Sequence, residues 1–291
     1  MFTTSPLYIF LVDFEQFISI SSFCNSVFTF FLSATVFCLT TFAKENPTHW
    51  GYEGETGPEH WGDLLPEYAM AKEGNQQSPI NFTEHVDGQV LEEIAPIGFS
   101  YTKQSLELEN NGHALVVHCK GDACELSILG KNFSVVQFHF HTPSEHTVQG
   151  EAFPAEVHFV HKNADGKLAV VGVFLKESDS AKENGLLKTI LDNAREKNIK
   201  DTIGQLVQVD DTQIDLYELL PQEDERSYFT YNGSLTTPPC TEGVLWVVMK
   251  TPIEIPSEQI AALKEIFPNP NARPVQPIND RFILEGAGSN P

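Results

Sequence analysis

The chain has 291 residues, 41% of them hydrophobic and 20% charged, an ordinary globular composition with enough length for one large domain or two small ones. Its 40 acidic residues against 18 basic ones give a formal net charge of −22. A surface that acidic repels phosphate backbones, which argues against a nucleic-acid partner, and it disfavours an anionic membrane surface.

The first 43 residues stand apart, with no Lys or Arg and only Asp13 and Glu15 acidic. The uncharged run from Val27 to Ala43 ends in small residues near Thr41-Phe42-Ala43, the pattern of a signal-peptide core and its cleavage site. The usual basic start is missing, so an uncleaved anchor or a translation start elsewhere is the alternative. Residues 1–43 are therefore expected to be a signal peptide or membrane leader, and residues 44–291 the functional domain. The protein is then exported, periplasmic or secreted, and touches the membrane only if the leader stays uncleaved. Cys24 and Cys38 lie in the leader, leaving Cys119, Cys124 and Cys240, an odd number for an oxidising compartment.

From Pro47 to Phe82 the text is rich in Gly, Pro and Trp and has little periodicity, so it reads as an irregular segment. Short runs of β-branched and aromatic residues follow, split by turn signals. Ala114–Cys119 and Cys124–Leu129 flank Lys120-Gly121-Asp122-Ala123 and read as a hairpin. On it Cys119 and Cys124 would be opposed residues within disulfide range. Gly130-Lys131 breaks to a strand over Phe133–His141. Glu156–His161 and Leu168–Leu175 make two more around a turn at Asn163–Gly166. Ala181–Lys197 has helical spacing, and Pro256-Ser257 opens a second helix to about Phe267. No linker splits residues 44–291. The expectation is one α+β domain around a large central, mostly antiparallel twisted β-sheet with a few peripheral helices.

The densest chemistry lies in Gln137-Phe138-His139-Phe140-His141-Thr142-Pro143-Ser144-Glu145-His146 and in Glu156-Val157-His158-Phe159-Val160-His161. Residues i and i+2 of a strand share a face, so His139 and His141 project side by side, about 7 Å apart along the strand. With His158 from a neighbouring strand they make a three-histidine site, which leaves zinc one open position for water. A closed structural site would need four ligands, usually with Cys, and no Cys-x-x-Cys is present. A lone His-x-His on a strand is more often plain core. Gln137 and Glu156, each two positions before a candidate ligand, strengthen the metal reading, because metal-bound imidazoles need an acceptor for the second ring nitrogen.

Beyond these blocks, His49-Trp50-Gly51-Tyr52, Gly57-Pro58-Glu59-His60-Trp61, Gln77-Ser78-Pro79-Ile80, Asn110-Asn111-Gly112-His113, Ser234-Leu235-Thr236-Thr237-Pro238-Pro239 and Arg273-Pro274-Val275-Gln276-Pro277 occur in one order. Together with the histidine blocks they resemble the α-carbonic anhydrase family, over about residues 48–284. The wording Thr142-Pro143-Ser144-Glu145-His146 is similar to the bacterial, exported type. The resemblance implies zinc-dependent, reversible hydration of carbon dioxide to bicarbonate and a proton by zinc-bound hydroxide, with Zn²⁺ on His139, His141 and His158. It implies that Thr236 orients the hydroxide and donates its hydroxyl hydrogen to Glu145, and that His113 shuttles the proton. It implies an apolar substrate wall of Val160, Val170, Leu235, Val244 and Trp246, with Thr236 and Thr237 lining the pocket. Tyr52, Asn111 and Tyr231 are the expected water network, and the assembly a monomer or homodimer.

Two departures stand out. Val116, three positions after the shuttle, is usually polar in the family. Cys240 matches one half of a disulfide common in exported members, but Ala71 stands at its partner's place, so Cys240 is expected to be a free, buried thiol. The alternatives are a catalytically silent carbonic-anhydrase-related binding module and a cupin-type metalloenzyme. The first typically lacks a metal histidine, and all three are here. The second needs a Gly spacing after Glu145 and a later histidine signature that are absent.

Overall fold

The structure, a computed structural model, describes residues 49–83, 97–121, 124–266 and 269–286. The expected leader lies outside the described residues. Among the described residues fifteen strands run in chain order: β1 Asn81–Phe82, β2 Gly98–Tyr101, β3 Gln104–Asn110, β4 Leu115–His118, β5 Cys124–Ile128, β6 Lys131–His141, β7 Thr147–Val148, β8 Glu151–Ala152, β9 Ala155–Lys162, β10 Leu168–Glu177, β11 Leu206–Ile214, β12 Tyr228–Ser234, β13 Glu242–Met249, β14 Ile253–Ile255 and β15 Leu284–Gly286. The helices are α1 Trp61–Leu64, α2 Met70–Glu73, α3 Gly185–Glu196 and α4 Ser257–Ile266.

Twelve strands form one sheet whose main path is β11-β3-β4-β6-β9-β10-β13-β12-β15. Its pairs are antiparallel except β10 with β13 and β10 with β14, so the mostly antiparallel expectation holds. Period-2 alternation gives the central strands two different faces. Phe138 and Phe140 of β6, Val157 and Phe159 of β9, Val171 and Val173 of β10, and Val247 and Met249 of β13 face the main core with α3 and α4. Helix α3 buries Leu186, Leu187, Ile190, Leu191 and Ala194 there, and its Asn184 cap accepts a hydrogen bond from Leu187 N. The irregular segment before β1 carries α1, whose Trp61 is fully buried and donates Nε1–H to Gly51 O and Thr56 O.

One expected hairpin is corrected. β4 and β5 do not pair with each other. They lie end to end along one edge of β6, β4 opposite Gln137–His139 and β5 opposite Lys131–Ser134. β6 is 11 residues long, enough to partner both. The tight turn is Leu129-Gly130, where φ is 51° and 69°, the two-residue geometry that suits a hairpin. Cys119 and Cys124 are therefore not cross-strand neighbours, and both are free thiols. Burial pushes Cys119 up to about 12, and Cys124 donates its S–H to Thr102 O.

A buried histidine on the core face gives the fold an acid limit. His161 Nδ1 is 2.9 Å from Phe159 O, which can only accept, so Nδ1 carries the hydrogen. Nε2 then accepts from the Tyr101 hydroxyl at 2.7 Å, and burial pushes the ring down to about 4. The unfolded chain takes up this proton below about pH 6.5 and the folded one only near 4, so stability rises with pH across that window. Between pH 7 and pH 4 the protein should lose about 3 kcal/mol that a His161→Leu variant does not lose. Urea unfolding of both at the two pH values measures this, and parallel losses would reject it.

Candidate metal centre and its surroundings

On the opposite face of the sheet, β6 presents Gln137, His139 and His141, and its neighbour β9 presents Glu156, His158 and Val160, with His139 directly across from His158. The three imidazoles come together, their ligand-capable atoms within 4.8 Å of one another. Two of the rings have one nitrogen hydrogen-bonded, and the third has one nitrogen against a carboxylate. His139 Nδ1 lies 2.8 Å from Gln137 Oε1, and His141 Nδ1 lies 2.7 Å from Asn271 O. His158 Nε2 is 2.9 Å from Glu156 Oε1, though not in hydrogen-bonding alignment. This leaves lone pairs on His139 Nε2, His141 Nε2 and His158 Nδ1 for a common centre. His141 Nε2 is buried without a hydrogen-bond partner, a costly state unless a cation completes it. Burial and the neighbouring imidazoles hold His139 well below its ordinary value, so it is a neutral ligand. Burial lowers His141 as well, against the pull of Glu145. His158 is pulled down by burial, but Glu156 more than offsets this and raises it. Three converging imidazoles, two of them held by a hydrogen bond at the second nitrogen and the third beside a carboxylate, fit zinc.

Behind His158 runs a buried hydrogen-bonded chain. Glu156 Oε2 accepts from the N–H groups of Glu145 and His146, and Oε1 accepts from His146 Nδ1 at 2.8 Å. His146 Nε2 then accepts from the Tyr231 hydroxyl at 2.7 Å, and Tyr231 accepts from Ser78 Oγ at 2.9 Å. Burial alone would raise Glu156, but His146 and His158 draw it well below the carboxylate range. Gly172 makes room for this carboxylate, because a Cβ there would stand 2.7 Å from Glu156 Oε1.

A family model of eukaryotic-type carbonic anhydrase matches residues 56–286. The chain belongs to the α-carbonic anhydrase family. A carbonic anhydrase of Nostoc is 39% identical over 85% of this chain and 90% of its own length, and one of Klebsiella pneumoniae is 38% identical over 87% and 96%. The α-carbonic anhydrase of Thermovibrio ammonificans, solved with the inhibitor sulfanilamide, is 42% identical with a TM-score of 0.72, covering 81% of this chain and 98% of its own.

The remaining carbonic anhydrase positions sort by where the fold puts them. Val170, Val244 and Trp246 are buried in one apolar cluster, against which Val160 and Leu235 pack. Trp246 Nε1 donates to Ser234 O and so ties down the loop that carries buried Thr236 and part-exposed Thr237. Glu145 Oε1 accepts from Arg273 N at 2.8 Å, while Oε2 is buried without a partner, 3.5 Å from His141 Nε2 and 3.7 Å from His158 Nδ1. The expected Thr236–Glu145 hydrogen bond is thus not formed here. Tyr52 has a buried, unpartnered hydroxyl, and burial and Glu145 raise it well above its usual value.

Two members of the expected water network have other work. Tyr231 is sealed in the chain behind Glu156, because its hydroxyl is engaged by Ser78 and His146. Asn111 Oδ1 accepts from His113 N and Ala114 N, folding the turn that presents His113, with Gly112 at φ 88°. The His113 ring is stacked on Trp50 at 3.5 Å between centroids and on His49 at 5.1 Å. It lines a cavity of about 330 Å³ with Tyr52 and Asn271. Burial, with His49 beside it, pushes His113 down to about 4.

Sequence reasoning missed Asn271 and underused Arg273. Asn271 holds His141 through its carbonyl, and its side chain bridges Thr142 N, Phe140 O and His113 O. The buried Arg273 guanidinium donates to Gln77 Oε1, Ser78 O and Ala71 O and lies over Trp61. The Arg273-Pro274-Val275 motif was the available signal for both. Cys240 is a free, buried thiol packed with Trp61 and Ala71, as the missing disulfide partner implied.

Proposed function

We propose that the protein is an exported carbonic anhydrase that hydrates carbon dioxide reversibly to bicarbonate and a proton, with zinc held by His139, His141 and His158. The observation that carries the residue assignment is the convergence of three imidazoles whose ligand-capable nitrogens lie within 4.8 Å of one another. Zinc, when bound, lowers the pKa of a water from about 16 to about 7, a magnitude known from carbonic anhydrases themselves, and so supplies a nucleophile at neutral pH.

The chain's own groups do the rest. Gln137 and Asn271 fix the tautomer and direction of His139 and His141, and the Glu156 carboxylate lies against His158 Nε2. Thr236 orients the reacting water, and the open Glu145 Oε2 is the acceptor that would set the Thr236 hydroxyl. Val160, Val170, Leu235, Val244 and Trp246 offer a small apolar molecule a dry wall beside the metal histidines, and part-exposed Thr237 follows Thr236 on the adjoining loop. His113 takes the released proton outward. A ring held near 4 gives protons up readily but accepts them poorly at neutral pH, so His113 must leave Trp50 to act near its ordinary value.

Stopped-flow hydration by residues 44–291, before and after zinc removal, tests the reading. Hydration that vanishes with the metal and returns with added zinc is the expected result. A folded, zinc-loaded protein without hydration would overturn it. Export rests on the uncharged run Val27–Ala43. Amino-terminal sequencing of the mature protein should begin near Lys44, and an intact Met1 would reject cleavage.

A further inference from the structure

Each hydration leaves a proton that must reach buffer before the next turnover, and the expected carrier His113 is folded against Trp50. The sheet face that carries the metal histidines continues onto β4 and β3. Glu107, His118 and Gln137 form one row across β3, β4 and β6, and Glu109, Val116 and His139 form the next. His118 is therefore a diagonal neighbour of His139, with about 7–8 Å between backbones. Its Nε2 lies 2.6 Å from Glu109 Oε2, and the two side chains are 32% and 25% exposed, so the pair is open to water. A carboxylate only accepts, so in the neutral ring Nε2 carries the hydrogen and Nδ1 keeps its lone pair.

We propose that His118, oriented by Glu109, is a second proton carrier of the metal site. The proposal rests on the zinc reading above. One O–H bond of a cavity water breaks and one N–H bond forms at His118 Nδ1. The imidazolium then passes its proton to a buffer base, and nothing is oxidised or reduced. Glu109 fixes the tautomer and offsets the charge gained. The other groups facing the pair are Glu107, which is buried and paired with Lys120, Gln137, which is engaged with His139, and Gln208 of β11 opposite Glu107. They do not make a metal site. Among the described residues both clusters tight enough to hold an ion contain His158. The arrangement also gives Val116 a meaning. An apolar residue, 5% exposed, stands beside His139, and the titratable group sits two residues on, on the same face.

The test uses the zinc-loaded protein, His118→Ala, His113→Ala, the double variant and Glu109→Gln. Exchange of ¹⁸O between carbon dioxide and bicarbonate reads the chemical interconversion, and release of labelled water reads proton delivery to the site. Because His113 remains as a carrier, His118→Ala should lower water release by less than the roughly 10²-fold of a sole acid–base group, about 3–10-fold, with interconversion and zinc content unchanged. The double variant should fall below either single one, Glu109→Gln should show part of the loss, and added imidazole should restore all of them. Parent-like water release from His118→Ala in both backgrounds overturns the proposal, as does a parallel fall in interconversion, which would mark a structural role. A parent without zinc-dependent exchange would sink the zinc reading instead, and this proposal with it.

Discussion

A His141→Ala variant should lose its zinc and about 10³-fold or more of its hydration rate, over 4 kcal/mol of transition-state stabilisation. His141 is as enclosed as His158, each 1% exposed, with Nδ1 spent on Asn271 O and Nε2 left unpartnered. Removing it leaves two imidazoles, too few for a catalytic zinc site, which takes three protein ligands. The fold should survive, because the substitution removes a donor from one carbonyl and no large apolar surface. A Gln137→Leu variant is the graded control. It removes only the acceptor for His139 Nδ1 and should weaken zinc about 10–100-fold, so that activity returns when zinc is raised. Metal content after dialysis, with hydration at several zinc concentrations, separates the two. A His141→Ala protein that keeps metal and rate would remove His141 from the site.

The metal centre was legible because two of its ligands share one strand. Period 2 puts His139 and His141 on a common face whatever the rest of the chain does, and it aligns Gln137 with them. His158 needed only one further inference, that β9 lies beside β6, and the turn-rich text between the two blocks favours adjacency. What the sequence hid depends on contacts between distant segments. Asn271 lies 130 positions from the imidazole that it holds. Tyr231 reads as an active-site polar residue, yet β13 and the segment before β1 close over it and leave its hydroxyl to Ser78 and His146.

The fold divides in the same way. β6, β9, β10, α3 and α4 follow from periodicity and caps. The hairpin drawn between β4 and β5 failed because local pattern marks where a strand is, not which edge it takes. The long β6 offered both segments a better partner than each other. The Cys119–Cys124 disulfide failed with it. Cys240 was read correctly because its prediction was an absence, Ala71 in place of a sulfur, which needs no pairing to be right.

Trp246→Ala should cost about 3–5 kcal/mol and lower the melting temperature by roughly 6–20 °C at fixed zinc. Trp246 is 2% exposed and stands between two kinds of structure. On one side it packs into the apolar cluster with Val170 and Val244. On the other, its ring meets the edges of His146 at 4.7 Å and His158 at 4.8 Å and lies parallel to Tyr231. The usual relief after such a truncation is collapse of neighbours into the gap. Here the neighbours are pinned in the Glu156–His146–Tyr231–Ser78 chain and cannot follow without leaving buried polar atoms unpaired, so the cost falls at the high end. The variant also frees Ser234 O and the loop carrying Thr236 and Thr237, so hydration should drop at temperatures where the protein is still folded. Trp246→Phe keeps most of the packing and loses the indole donor, and should cost about 1–3 kcal/mol. If Trp246→Ala melts within a degree or two of the parent, the polar chain is able to move. The apolar wall and the placement of the His158 imidazole would then be separable features, not two faces of one side chain's packing.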